Sequence, residues 1–188
     1  MAIQKGIDKW KTKKWFTVYA PKAFEEKKIC EIPGEDEKAV QGRKIKVSLD
    51  TLTHKPQHSI SNVIMRVESV NGDSAHTKLV MIEEVYSYIR SLVRRYRSVS
   101  SVVVPVKSSS GDSFVIKAMA ITKERTAASR LKAIRKIIEE RIKELSAENS
   151  SDWIVKSVIE GTMQADLHEK ANKIAQIGKI EIRKIEIM

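Results

Sequence analysis

The sequence predicts an α+β fold: antiparallel β-hairpins forming a sheet or barrel-like core in the first two thirds, helices mainly in the last third, and a closing strand. Three observations lead there. Turn signals at Asn71-Gly72-Asp73 and at Ser108-Ser109-Ser110-Gly111-Asp112 each stand between two apolar runs of strand length. Beyond Thr122 the apolar residues recur at the three- and four-residue spacing of an amphipathic helix. The chain then closes on Ile180, Ile182, Ile185 and Ile187, set among charges.

In chain order, Phe16 to Ala20 reads as a short strand stopped by Pro21. Residues 31–38 read as an acidic surface loop around Pro33-Gly34. Ile45, Val47 and Leu49 alternate with Lys44, Lys46 and Ser48, the pattern of a half-buried strand. Val63 to Val67 and Thr77 to Met81 form a hairpin through Asn71-Gly72, whose residues adopt positive φ readily. Glu83 to Arg97 is expected to be a helix with Ile82, Val85, Ile89, Leu92, Val93 and Tyr96 as its apolar stripe. Val102 to Val106 pairs with Phe114 to Ile121, and Pro105, which has no N–H to donate, puts the first of these at an edge or a bulge. A long helix is expected from Thr126 to Leu145 on Leu131, Ile134, Ile138, Ile142 and Leu145, with Asn149-Ser150-Ser151-Asp152 capping the next one near Trp153. A further helix covers Gln164 to Ile174. The final alternation slips at Arg183-Lys184, which requires a bulge if the buried face is to be kept.

Charge narrows the function. With 35 Lys and Arg against 24 Asp and Glu, the formal net charge is +11, and it is unevenly placed. Residues 1–30 carry eight basic and three acidic side chains; residues 86–135 carry eleven basic and two acidic, leaving the remainder net negative. Concentrated charge of one sign draws in a polyanion by steering and counterion release. Nucleic acid ranks ahead of an idle solvated face. An anionic membrane ranks third, because the basic segments lack an apolar face. No apolar run approaches the ~18–20 residues of a bilayer span, the first residues lack a secretory apolar stretch, and a single Cys30 excludes an internal disulfide framework.

Catalytic patterns are weak. His54 and His58 have i, i+4 spacing, but Pro56 lies between them and the glutamate of the metalloprotease motif is missing. The seven glycines compose neither a phosphate loop nor a dinucleotide fingerprint. Lys27 and Lys28 near Cys30 are offset by Glu25, Glu26 and Glu31, leaving an ordinary thiol. The chain is read as no enzyme, with no metal and no cofactor. A nucleic-acid-processing enzyme would need clustered carboxylates for two-metal chemistry.

The candidate RNA-binding residues are Lys9, Trp10, Lys11, Lys13 and Lys14 in the first segment, then Arg94, Arg95, Arg97, Lys123, Arg125, Arg130, Lys132 and Arg135 in the second. Trp10 fits stacking on a base or anchoring the chain; Trp15, on the strand side, is expected to anchor. Arg94, Arg95 and Arg97 close a helix that opens on Glu83 and Glu84, so the macrodipole accounts for part of that cluster. The long helix runs the other way, basic at its start and acidic at its end. That order costs roughly 0.3–1 kcal/mol per terminal charge, and a polyanion at the basic end would offset it.

Four segments carry a family resemblance. They are Lys14-Trp15-Phe16-Thr17-Val18-Tyr19-Ala20-Pro21-Lys22-Ala23-Phe24, Gly42-Arg43-Lys44-Ile45-Lys46-Val47-Ser48-Leu49-Asp50-Thr51-Leu52, Thr122-Lys123-Glu124-Arg125 with Ser129 and Ile134-Arg135, and Ile182-Arg183-Lys184-Ile185. In this order and spacing the chain resembles the S-three-A-e family, the S1-type small-subunit ribosomal proteins of archaea and eukaryotes. Ala175-Gln176 in place of a proline-containing segment, and an end at Met188, suggest an archaeal member. The resemblance implies a structural constituent of the small ribosomal subunit, cytoplasmic, that binds ribosomal RNA on the platform near the messenger exit. Neighbouring small-subunit proteins and messenger RNA near the exit are the implied further partners, and no membrane. A free-standing RNA-binding regulator of translation is the alternative. Residues 1–14 are expected to form a basic arm ordered by RNA, and residues 15–188 one α+β domain.

Overall fold

The computed structural model describes residue 10, residues 13–21 and residues 24–188; Lys9 and Lys11 lie outside the described residues. Among the described residues the elements run β1 (Lys14–Tyr19), β2 (Lys28–Gly34), α1 (Glu37–Val40), β3 (Lys44–Ser48), α2 (Leu49–Thr53), β4 (Ser61–Asn71), β5 (Ser74–Glu84) and α3 (Tyr86–Leu92). They continue with β6 (Val99–Lys107), β7 (Ser113–Thr122), α4 (Ala128–Glu148), α5 (Ser151–Glu160), α6 (Thr162–Asn172) and β8 (Ile177–Ile187). The class is α+β, as the sequence predicts, with a mixed sheet.

The strands follow the order β2-β1-β5-β8-β7-β6, and β3-β4 branches from β5. β5 is the hub. It pairs antiparallel with β4 along its length, parallel with β1 at Ser74–His76, and antiparallel with β8 at Met81–Glu83. The β1–β5 pair joins strands distant in sequence and is no hairpin. Both predicted hairpins are present, β4–β5 turning at Gly72 (φ +59°) and β6–β7 around Gly111. Pro105 lies on β6, which among the described residues pairs only with β7, so its missing N–H faces no described partner strand. The slip in β8 is a bulge: Lys117 pairs with Lys184 and Ala118 with Ile182, leaving Arg183 extra. Ile182 and Ile185 therefore both stay buried.

The core lies between the sheet and the late helices. Val102, Val104 and Val106 of β6, with Phe114, Ile116, Ala118 and Ala120 of β7, meet Ile134, Ile138, Ile142 and Leu145 of α4. Successive strand residues point to opposite faces, so Met119 and Ile121 face away from α4. There they pack with Ile89 of α3. The second half of β7 is thus covered on both faces, which explains its unbroken apolar run. No described helix is long and apolar enough to cross a membrane.

Several sequence expectations are corrected. Glu83 and Glu84 belong to β5, held by β4 and β8, so α3 covers only Tyr86–Leu92 instead of Glu83 to Arg97. Arg94, Arg95 and Arg97 therefore lie in a turn after the helix instead of in its last turn. Tyr96, assigned to the apolar stripe, is 85% exposed. Trp15, expected to anchor the chain, is exposed, because the alternation of β1 buries Phe16 and Val18 instead. Ser150 caps α5 by position but makes no side-chain capping bond.

The expected acidic loop at residues 31–38 is also replaced in part by β2, whose Pro33 and Gly34 pair with Trp15 and Lys14. Proline is tolerated because β2 is an edge strand. Gly34 is there for space: a Cβ would stand 2.3 Å from Val40 Cγ2 and 3.1 Å from Phe16 Cε2. Gly34→Ala should therefore cost about 1–3 kcal/mol of unfolding free energy, measured by urea denaturation. Gly42→Ala, where a Cβ meets only the end of Arg66, should show backbone strain but no such packing loss.

Candidate nucleic-acid interface

The second basic segment is brought together around Ser98. The Ser98 N–H donates to Thr122 Oγ1 at 3.0 Å, the Thr122 N–H donates to the Ser98 carbonyl at 3.0 Å, and the Thr126 N–H donates to Ser98 Oγ at 3.0 Å. Thr122 Oγ1 also lies 2.6 Å from the Glu124 carbonyl. The turn carrying Arg94, Arg95 and Arg97 is thereby fastened to the link carrying Lys123 and Arg125, just before α4 begins. Arg97 and Lys123 line one cleft, with Lys179 of β8.

The start of α4 is fixed against β6 in the same neighbourhood. Ser100 Oγ lies 3.4 Å from the Leu131 carbonyl and accepts from Arg135 Nε at 3.2 Å. At 100° per residue, Arg130 and Arg135 flank the apolar stripe and Lys132 stands on the outer face. All three are exposed. The helix begins at Ala128 with Ala127 at the cap position, no side-chain cap and no acid in its first turn. Its positive pole is therefore left next to cations rather than neutralised.

The two ends of α4 differ in ion pairing. From Lys136 onward every cation of the helix has a carboxylate: Lys136 with Glu140 at 3.8 Å, Lys143 with Glu139 at 2.6 Å, and Arg141 with both Glu144 and Asp166. The Arg141 guanidinium holds the Asp166 carboxyl below its ordinary range. Before Lys136 the pairing stops. Arg94, Arg95, Arg97, Lys123, Arg125, Arg130, Lys132 and Arg135 make no ion pair among the described residues. Glu124 is the single acid interleaved with them in the link.

The amino-terminal candidates stand elsewhere. Lys13 Nζ lies 4.6 Å from the Trp10 ring centre, and both residues are exposed. Lys14 is the first residue of β1 and lines a hollow with Glu35, Asp36, Glu37 and Asp73. β5, β8 and β7 separate β1 from β6, so this group and the Ser98 group belong to different parts of the surface. Tyr96, which the sequence spacing puts on an apolar helix stripe, is exposed. Its position inside the run Arg94-Arg95-Tyr96-Arg97 was the signal that could have set it apart.

On the sheet face away from α4, a partly buried polar group holds α3 to the sheet. Tyr88 of α3 donates to Glu181 Oε1 of β8 at 2.6 Å, and Lys179 Nζ reaches both Glu181, at 2.7 Å, and the Tyr88 hydroxyl. Burial opposes the Lys179 charge, but its bonds to Glu181 and Tyr88 prevail and raise its pKa. Lys179 thereby stays protonated and paired with Glu181, and adds no free cation to the cleft. Glu84 stands beside Glu181 with its buried Oε2 unpartnered. Burial first, then the Glu181 charge and a hydrogen bond to it, push the Glu84 pKa up to about 9.

A sequence model of the Ribosomal S3Ae family matches residues 2–188 of the chain. A protein of Pyrobaculum aerophilum named small ribosomal subunit protein eS1 is 34% identical over 188 residues, covering 100% of this chain and 85% of its own length. A protein of the same name from Archaeoglobus fulgidus is 33% identical over 183 residues, covering 96% of this chain and 87% of its own length. Another, from Methanobrevibacter smithii, is 29% identical over 181 residues, covering 96% and 94%.

Glu84 makes stability depend on pH. An unfolded glutamate titrates near 4.3, so between there and about 9 the folded chain keeps a proton that the unfolded chain has lost. Stability is retained at the acid end of this window and falls as pH rises through it. Glu84→Gln keeps the shape and a donor for Glu181 while removing the titration. Thermal unfolding should show the variant equal to the parent near pH 4 and increasingly more stable toward pH 8–9, by about 2–4 °C per kcal/mol relieved. Parallel curves for the two proteins would show that Glu84 stays ionised.

Proposed function

The chain belongs to the Ribosomal S3Ae family, and from that premise we propose that it is a structural constituent of the small ribosomal subunit that binds ribosomal RNA and catalyses no reaction. One observation supports the RNA contact above the others: eight exposed cations from two chain segments gather about Ser98 without ion pairs among the described residues, while the cations further along α4 are paired. Paired charges serve the fold. Unpaired ones of a single sign, on a surface built from rigid elements, suit a phosphate backbone, whose counterions they displace.

The contact is electrostatic and insensitive to base sequence. Arg94, Arg95, Arg97, Lys123, Arg125, Arg130, Lys132 and Arg135 set the position of the protein on RNA, and neighbouring small-subunit proteins meet other faces. Trp10, Lys13 and Lys14 make a separate contact on the β1 side, and Lys9 and Lys11 adjoin them in the sequence. The subunit platform near the messenger exit is the location we propose, with messenger RNA within reach of the assembled protein.

Binding of the whole chain to small-subunit ribosomal RNA, followed across salt, tests this. Replacing Arg125, Arg130 and Lys132 together by glutamine should flatten the slope of log K against log salt by up to ~0.7–0.9 per lost contact. Thermal stability should hold or rise slightly, because cations at a helix start oppose its dipole. Arg135 is left out of the variant because its Nε also bonds Ser100. An unchanged slope with a lowered melting temperature would assign these residues to the fold and overturn the proposal.

A further inference from the structure

We propose that Tyr96 is a stacking platform for an unpaired base of the bound RNA, an inference that rests on the RNA-binding reading above. Tyr96 is 85% exposed, the highest exposure among the large hydrophobic side chains, and makes no hydrogen bond or ring contact with the described residues. By contrast, the exposed rings of Trp10 and Tyr86 lie beneath Lys13 and Arg90. Its backbone is also unusual, with φ at +64°. That region suits glycine or asparagine, and a bulky aromatic there is an outlier. The ring contributes nothing to packing while its backbone is held in a disfavoured state, so its role lies outside the chain.

The surroundings indicate what lies against it. Arg94, Arg95 and Arg97 flank Tyr96 in the sequence, all exposed and without ion pairs among the described residues. The Arg97 N–H donates to the Arg94 carbonyl at 3.4 Å, closing the turn, and Ser98 fastens it to Thr122 and Thr126. The ring is thus displayed from a fastened turn whose neighbouring side chains in the sequence are cations. RNA is met in this way: aromatic side chains stack on bases that are free of a helix while neighbouring cations follow the backbone. A protein pocket that received Tyr96 would have to desolvate three arginines as well, which makes RNA the better match. Because every base has a π-face, the contact favours single-stranded loops or bulges over duplex without choosing among bases.

The probes are a ten-nucleotide single-stranded RNA carrying one 2-aminopurine and the same sequence in a duplex, each titrated with the full chain. Tyr96→Trp should keep the affinity for the single strand and the fluorescence quenching that reports stacking. Tyr96→Leu and Tyr96→Gly should lose the quenching and bind the single strand about five- to a hundredfold more weakly, with duplex binding and the salt slope unchanged. The glycine variant also relieves the backbone, so its melting temperature should hold or rise. This keeps lost binding separate from lost folding. Undiminished single-strand binding by Tyr96→Leu overturns the proposal, as does an equal loss on duplex. Normal RNA binding combined with weakened retention in purified small subunits would assign the ring to a protein neighbour. If the parent chain binds neither RNA, the RNA-binding reading itself falls and this inference with it. If the parent binds both and the variants match it, only the role of Tyr96 falls.

Discussion

Burial of the isoleucine stripe of α4 against β6, β7 and β8 sets where everything else can go. Ile134, Ile138 and Ile142 are fully buried there, and a buried side chain of this size is worth about 1.5–3 kcal/mol. That packing fixes both the axis and the rotation of α4. Its start is laid beside Ser98 and Ser100, its middle beside Asp166 of α6, and the charges fall in place accordingly. The bulge at Arg183 keeps β8 contributing to the same core. One inserted residue keeps Ile182 and Ile185 on the same side, where unbroken alternation would send one of them to solvent.

The two ends of the same helix dispose of their charge differently. Toward its end, charge is settled within the chain: Arg141 binds Asp166 and Glu144, and Lys143 binds Glu139. At its start, charge is left open, uncapped and adjacent to more charge. On the opposite sheet face the Tyr88–Glu181–Lys179 group ties α3 to β8, with Glu84 against it, so the turn at residues 94–97 follows a helix held by both packing and polar bonds. A basic surface of this kind repels itself, and its rigid support keeps the repulsion from spreading the elements apart.

Much of the architecture was legible where local chemistry is unambiguous. Asn71-Gly72, Pro105 and the stripe of α4 each admit few alternatives, and all three are found as read. The misreadings share a cause, which is that spacing does not distinguish a strand end running into a helix from a longer helix. Ile82, Ile89 and Leu92 have helical intervals, yet Ile82 is held in β5 by pairing with Val63 and Ile185, contacts distant in sequence. Pro33-Gly34 reads as a turn until Val40 and Phe16 are seen to crowd the glycine within an edge strand. The basic segments were legible as charge. Their gathering about Ser98 was not, because it depends on Thr122 and Thr126 reaching back across the β6–β7 hairpin.

The proposed RNA contact involves the start of α4 and its preceding link and leaves out the paired remainder of the helix. Lysine reactivity toward an acetylating reagent, compared between the free chain and intact small ribosomal subunits, tests this directly. Lys123 and Lys132 should react readily in the free chain and be protected in the subunit, whereas Lys143, paired with Glu139, should change little. Equal reactivity of Lys123 and Lys132 in both states, or protection confined to Lys143, would contradict the account.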